Sequence, residues 1–157
     1  MSDFSELEQF KNYQFIDPGE MGDADLELIL RETSPYIPEK GFVPAYNFSM
    51  VHTTSKEIMG NIDLRVGLTE KLKEYGGHIG YEVFEPYRGH RYAARSCSLL
   101  FPFLRKLGIN PVVITCDPNN LPSKKTIESL GAVLIETKQV EVEPGVFRLT
   151  SVYHIYI

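Results

Sequence analysis

The sequence predicts an α/β (α+β) fold: one domain over residues 1–157, with a mixed central sheet of six to seven strands flanked by three or four helices. Two strand–turn–helix units carry that expectation. In the first, residues 77–108, Ile79, Tyr81 and Val83 alternate with Gly80, Glu82 and Phe84, the period-two signal of a strand with two distinct faces. From Ala93 onward the apolar residues Cys97, Leu100, Leu104 and Leu107 fall at spacings of four and three, on one helical face, and Gly108 supplies the stop. In the second, residues 112–116 form a short apolar β-rich run, Asp117-Pro118-Asn119-Asn120 is turn chemistry, and a helix follows with Ile127 and Leu130 leading to Gly131. Asn120 is its expected N-cap and Pro122 is tolerated in the first turn.

The other elements take their places around these units. Phe4, Leu7 and Phe10 have helical spacing and suggest a short leading helix. Gln14-Phe15-Ile16-Asp17 reads as a first strand stopped by Pro18-Gly19, and Leu26, Ile29 and Leu30 suggest a helix over residues 25–33. Residues 34–44 hold three prolines and read as an irregular loop. A hairpin is expected from residues 46–54 and 57–66, turned at Ser55-Lys56, followed by a polar loop or short helix over 67–77. Two strands, 132–141 and 146–157, close the chain around Pro144-Gly145. Pro102 lies inside the helix of the first unit and predicts a kink, or a break near Phe101, because its ring removes the amide that would bond the Ser98 carbonyl.

Bulk properties narrow the function. A formal charge of −5 argues against a general nucleic-acid binder, which needs Lys and Arg clustered over a wide surface. Cys97 and Cys116 make no disulfide framework, and no segment has signal-peptide character or membrane-spanning length, so a soluble cytoplasmic protein is expected. His52, His78, His90 and His154 are scattered without ligand spacing, and no metal site is expected. The β-rich C-terminus, residues 147–157, could pair across a homodimer.

Chemistry concentrates in the turn of the first unit. A strand ending at Val83 and a helix starting within a few residues present the amides of Gly89, His90, Arg91 and Tyr92 at the strand end, none with an intrahelical acceptor. Those amides and the positive end of the helix dipole suit a polyanion such as a pyrophosphate. Gly89 permits close approach, and Arg88 and Arg91 add charge.

Arg88-Gly89-His90-Arg91-Tyr92-Ala93 resembles the Arg/Gln-x-x-Gly-x-Gly/Ala signature of the GNAT N-acetyltransferase superfamily, with Arg91 where the second glycine usually stands. Asn120 and Ser123, in a helix closed by Gly131, are similar to that family's next motif, and the resemblance covers nearly the whole chain. It implies acetyl-CoA as co-substrate and two neighbouring parallel strands, ending near Val83 and Cys116, that splay apart to hold the pantetheine. Backbone groups at Val83 and Phe84 would pair with the pantetheine amides. Arg88, Gly89, His90, Arg91, Tyr92 and Ala93 would hold the pyrophosphate, and Asn120 and Ser123 would lie near the cofactor arm.

The implied reaction is attack of a primary amine on the thioester, which needs a base for the amine and an acid for the leaving thiolate. His78, Glu82 and Glu85 are candidate bases; His78 titrates in the useful range, although a histidine at a strand entrance is more often a hydrogen-bonded structural residue. Many family members place a tyrosine acid seven residues after the motif asparagine; here that position is Ile127, leaving Ser123, a tyrosine from elsewhere such as Tyr153, or water. A non-catalytic acyl-CoA-binding or regulatory module is the alternative. A dinucleotide-binding fold ranks behind both, since its glycine fingerprint is missing. The acceptor, a small molecule or a protein amine, is not specified by the sequence.

Overall fold

A computed structural model describes residues 8–157, which form eight strands and three α-helices. The strands are β1 (Met21–Asp23), β2 (Leu26–Ser34), β3 (Ala45–His52), β4 (Ile58–Arg65), β5 (Ile79–Val83), β6 (Val112–Cys116), β7 (Val133–Glu143) and β8 (Val146–Ile155). The helices are α1 (Glu70–Glu74), α2 (Tyr92–Lys106) and α3 (Leu121–Ser129). Strands β1 to β5 make one sheet in sequence order, and β6-β8-β7 make a second. Every ladder within the two sheets is antiparallel.

Two segments differ from the sequence-based expectation. Residues 14–20 form no strand; the backbone there is irregular, and the Ile16 amide donates to the Tyr46 hydroxyl at 3.0 Å. Residues 25–33 are strand β2, not a helix. Leu26, Ile29 and Leu30 fit a helical face on paper. In the fold Leu26 and Leu28 point inward while Ile29 is 47% exposed, so a period of two decides the face. Pairing of β2 with β3 outweighs any local helical preference. Of the leading helix, Phe4 and Leu7 lie outside the described residues, and Phe10 ends a single 3₁₀ turn, Glu8–Phe10, its ring packed over Gly67.

The core lies between the first sheet and α2. Tyr46, Phe48, Ile62, Leu64 and Ile79 supply the sheet side, and Cys97, Leu100, Phe103 and Leu104 the helix side. The four-and-three spacing of the α2 residues is thus the spacing of a buried stripe. Helix α2 continues through Pro102 and does not break near Phe101. Packing of Leu100, Phe103 and Leu104 on either side of the proline holds the turn together despite the missing amide. Pro102 itself is exposed, so Pro102→Ala removes no buried contact and restores a donor to the Ser98 carbonyl. This substitution should stabilise the protein by about 2 kcal/mol, read as a rise in Tm of about 4–8 °C.

The opposite face of the first sheet carries Asn47, Asp63, Arg65, His78 and Gly80, because these alternate with the core residues along β3, β4 and β5. One face of the sheet is therefore spent on packing, and the other is available for chemistry.

Candidate active site

Strands β5 and β6 are neighbours that share no ladder. They meet where the His78 amide donates to the Val113 carbonyl at 2.7 Å, and the Val113 amide donates to His78 Nδ1 at 2.9 Å. The His78 carbonyl in turn accepts from the Arg65 amide at 2.7 Å, so this one residue ties β4, β5 and β6 together. Beyond the seam, Gly80 and Tyr81 on β5 and Thr115 and Cys116 on β6 border a cleft of about 370 Å³. The two strands belong to different sheets, and the cleft lies beyond their contact at His78 and Val113.

His78 is 7% exposed, and burial, followed by the nearby Arg65 and His154, lowers its pKa to about 4. Its imidazole is neutral at physiological pH, with Nδ1 engaged as an acceptor. Glu82 is exposed on β5 opposite Asn61, and Glu85 is exposed in the 3₁₀ turn Glu85–Tyr87 that follows.

The turn between β5 and α2 leaves backbone open to solvent at the helix start. Gly89 has φ +92°, and a side chain there would meet nothing within 4 Å, so a ligand can come to the backbone itself. Arg91 is the N-cap of α2 with φ +60°: the left-handed conformation that a glycine adopts freely is here imposed on an arginine, at a cost of roughly 1–2 kcal/mol. The first helical bond runs from the Arg95 amide to the Arg91 carbonyl, which leaves the preceding amides without intrahelical acceptors. Arg88 is exposed, and its Nε donates to the Val83 carbonyl at 2.9 Å, bringing its guanidinium back over the strand end. Phe84, half-buried, caps the 3₁₀ turn through its backbone, and its amide donates to the Met59 carbonyl at 2.8 Å.

Of the remaining turn residues, His90 is exposed, its ring 5.6 Å from that of Tyr92. Tyr92 and Ala93 are buried. The Tyr92 hydroxyl donates to Asp25 Oδ2 at 2.6 Å, and Arg95 Nη2 donates to Asp25 Oδ1 at 2.6 Å. Those two bonds pull the Asp25 carboxyl down to about 2 and fasten the start of α2 to the β1–β2 turn. The side chain of Tyr92 therefore positions the helix, and its contribution to an anion would come from its amide.

Asn120 caps α3 as expected, its Oδ1 accepting from the Ser123 amide at 3.3 Å. Ser123 borders the cleft, and its Oγ lies 2.9 Å from the Tyr81 hydroxyl, which reaches across from β5. Burial pushes the Tyr81 phenol up to about 12. Ile127 is fully buried, and Tyr153 is 2% exposed in the β8 face of the core. The tyrosine that meets Ser123 thus comes from neither α3 nor β8. Sequence reasoning passed over Tyr81 because it read as one apolar member of an alternating strand.

A second cavity, of about 470 Å³, lies on the polar face of the first sheet and shares Arg65, Tyr75 and Gly76 with the cleft. Asp63 and Asn47 form part of its floor, and Phe42 and Val43 from the proline-containing loop part of its wall. Asp63 was not singled out by the sequence either; the signal available was its alternation with the apolar Ile62 and Leu64.

The fold thus sets a cleft between two strands of different sheets beside a helix start with exposed backbone amides. The family model described as the acetyltransferase (GNAT) domain matches residues 6–133, and the chain belongs to that family. It is an acetyltransferase, and the co-substrate of the family is acetyl-CoA. No curated protein matches the sequence.

Solved structures place the fold in the same group. RimL, a ribosomal L7/L12 alpha-N-protein acetyltransferase in complex with coenzyme A, is 16% identical with a TM-score of 0.66, over 88% of this chain and 98% of that one. The microcin C7 self-immunity acetyltransferase MccE, in complex with acetyl-CoA and AMP, is 21% identical with a TM-score of 0.58, over 72% and 61%. The ribosomal-protein-S5-alanine acetyltransferase of Vibrio fischeri is 18% identical with a TM-score of 0.59, over 71% and 61%. Among the described residues, no helix is long and apolar enough to cross a membrane.

Proposed function

We propose that the chain transfers the acetyl group of acetyl-CoA to a primary amine by direct attack on the thioester. The observation that carries this reading is the junction of two cavities: the cleft between β5 and β6, and the cavity over the polar face of the first sheet, which share Arg65, Tyr75 and Gly76. A donor in the first and an acceptor in the second would meet across Gly80, where a side chain would find nothing within 4 Å.

Acetyl-CoA supplies the activated carbonyl and a thiolate leaving group. The amides around Gly89, with Arg88 and Arg91, hold its pyrophosphate; the backbone at Val83 and Phe84 and the α3 start at Asn120 flank its arm. Ser123 gives a proton to the departing sulfur, and Tyr81 orients the Ser123 hydroxyl for that transfer. His78 maintains the β5–β6 seam, and so the separation of the strands, in its neutral form. Structures that the chain resembles include protein N-terminal acetyltransferases, which supports an amine acceptor.

Calorimetric titration with acetyl-CoA and CoA, paired with release of free CoA thiol across a panel of amines, tests the reading. Ser123→Ala should lower kcat at least tenfold while the acetyl-CoA Kd stays within about threefold. Binding of acetyl-CoA without thiol release on any amine would instead support a non-catalytic acyl-CoA-binding module.

A further inference from the structure

Among the described residues, Asp63 is the sole carboxylate bordering the larger cavity. Its Oδ1 is buried and has no hydrogen-bond partner, the nearest cation being Arg31 Nη2 at 3.7 Å, while the side chain as a whole is 43% exposed. One oxygen is thus buried without a donor, while the residue as a whole borders the cavity and keeps part of its side chain exposed. In the β4–β5 ladder Asp63 stands directly opposite Gly80, on the same face, so the carboxylate and the open Gly80 position adjoin.

The rest of the charge around the cavity is positive. Lys40, Arg65 and Lys71 border it, in a chain whose formal charge is −5. Arg65 Nη1 donates to the Gly76 and Gly77 carbonyls, and Lys71 Nζ donates to the Val142 carbonyl at 2.8 Å, so both cations are held in place at the cavity. A polyamine would meet three like charges there for one opposite charge. An amine carried beside carboxylates would meet the reverse.

We propose that Asp63 receives the acceptor amine and acts as its general base, and that the acceptor amine is flanked by anionic groups, as in an acidic peptide or an acidic amino acid. This rests on the transferase reading above and specifies its acceptor half. The amine nitrogen bonds to the thioester carbonyl carbon and the C–S bond breaks. One amine proton passes to Asp63, and the sulfur leaves as a thiol with the proton donated from Ser123, which solvent restores. The proton goes to the accessible oxygen, and the carboxyl as a whole is made more basic by burial, against the opposing pull of Arg31 and Arg65 and with that of Glu32. Lys40 and Lys71 face the same cavity, and across the adjoining ladders stand Asn47 on β3 and Gly80 on β5.

The test uses the full chain with four acceptors: a peptide with a free N-terminus and two aspartates, its lysine counterpart, free aspartate, and spermidine. Free CoA thiol is followed from pH 5 to 9, and each peptide is titrated calorimetrically into the enzyme–CoA complex. The acidic peptide or free aspartate should exceed the lysine peptide and spermidine at least tenfold in kcat/KM, and which of the two leads tells peptide from amino acid. Asp63→Asn should cut kcat about 100-fold or more, abolish the acidic limb of the pH profile and leave acetyl-CoA affinity intact. Lys71→Glu should weaken binding of the acidic peptide about tenfold.

Several outcomes would overturn the proposal. They are a preference for spermidine or the lysine peptide, an Asp63→Asn enzyme within threefold of wild type, and no binding of either acidic acceptor to the enzyme–CoA complex. Loss of acetyl-CoA binding by the wild type would remove the transferase reading itself, a result separable from the others because it needs no acceptor.

Discussion

Gly89→Asp is expected to abolish acetyl-CoA binding while leaving the fold intact. Gly89 is exposed at φ +92°, with open space where a Cβ would lie, so the substitution adds backbone strain of roughly 1 kcal/mol and no clash. Its carboxylate would lie within a few ångströms of a pyrophosphate held by the same turn. At an effective dielectric of about 20, two like unit charges 4 Å apart repel by about 4 kcal/mol, which corresponds to a loss of affinity of more than 100-fold. Gly89→Ala separates the two contributions, since it carries the strain without the charge. Calorimetric titration of both variants, with circular dichroism as the check on folding, should show Gly89→Asp below detectable binding and Gly89→Ala within about tenfold of wild type. Equal binding by Gly89→Asp and wild type would mean that the pyrophosphate is held elsewhere.

Gly77→Ala is expected to be strongly destabilising. Gly77 has φ +62°, and a Cβ there would stand 2.4 Å from the Val113 carbonyl oxygen and 2.9 Å from its carbon. Neither atom belongs to a side chain that can swing away. Relief requires β5 and β6 to move apart at the seam, which strains the two hydrogen bonds joining His78 to Val113. Left-handed strain together with overpacking against backbone should cost about 3 kcal/mol, or a fall in Tm of about 6–12 °C. The residual folded protein should also bind acetyl-CoA more weakly, because the seam sets where the strands part. A Tm within 2 °C of wild type would show that the seam yields without cost.

How much was legible in the sequence depends on whether a residue's partner is local. The α2 stripe of Cys97, Leu100 and Leu104, the Asn120 cap and the hairpin around Ser55-Lys56 are short-range features, and the structure keeps them with small shifts of boundary. Residues 25–33 misled because Leu26, Ile29 and Leu30 satisfy a helical spacing that their pairing with β3 overrides. The phosphate-type turn was visible as composition, but the left-handed conformation of Arg91 was not: an arginine gives no local hint that it will be held at φ +60°.

The site shows the same division. The sequence alone determined that a glycine-bearing turn joins the strand ending at Val83 to a helix, since local propensity and spacing are sufficient for that. Only the tertiary structure decided that His78 would be buried with its Nδ1 accepting from Val113, that Tyr81 rather than a residue of α3 would meet Ser123, and that Asp63 would stand beside Gly80 over the larger cavity. Each of these depends on which strand lies next to which and in what register. Register is fixed by which faces must be buried across the whole sheet, a sum over contacts far apart in the chain that no single stretch of residues encodes.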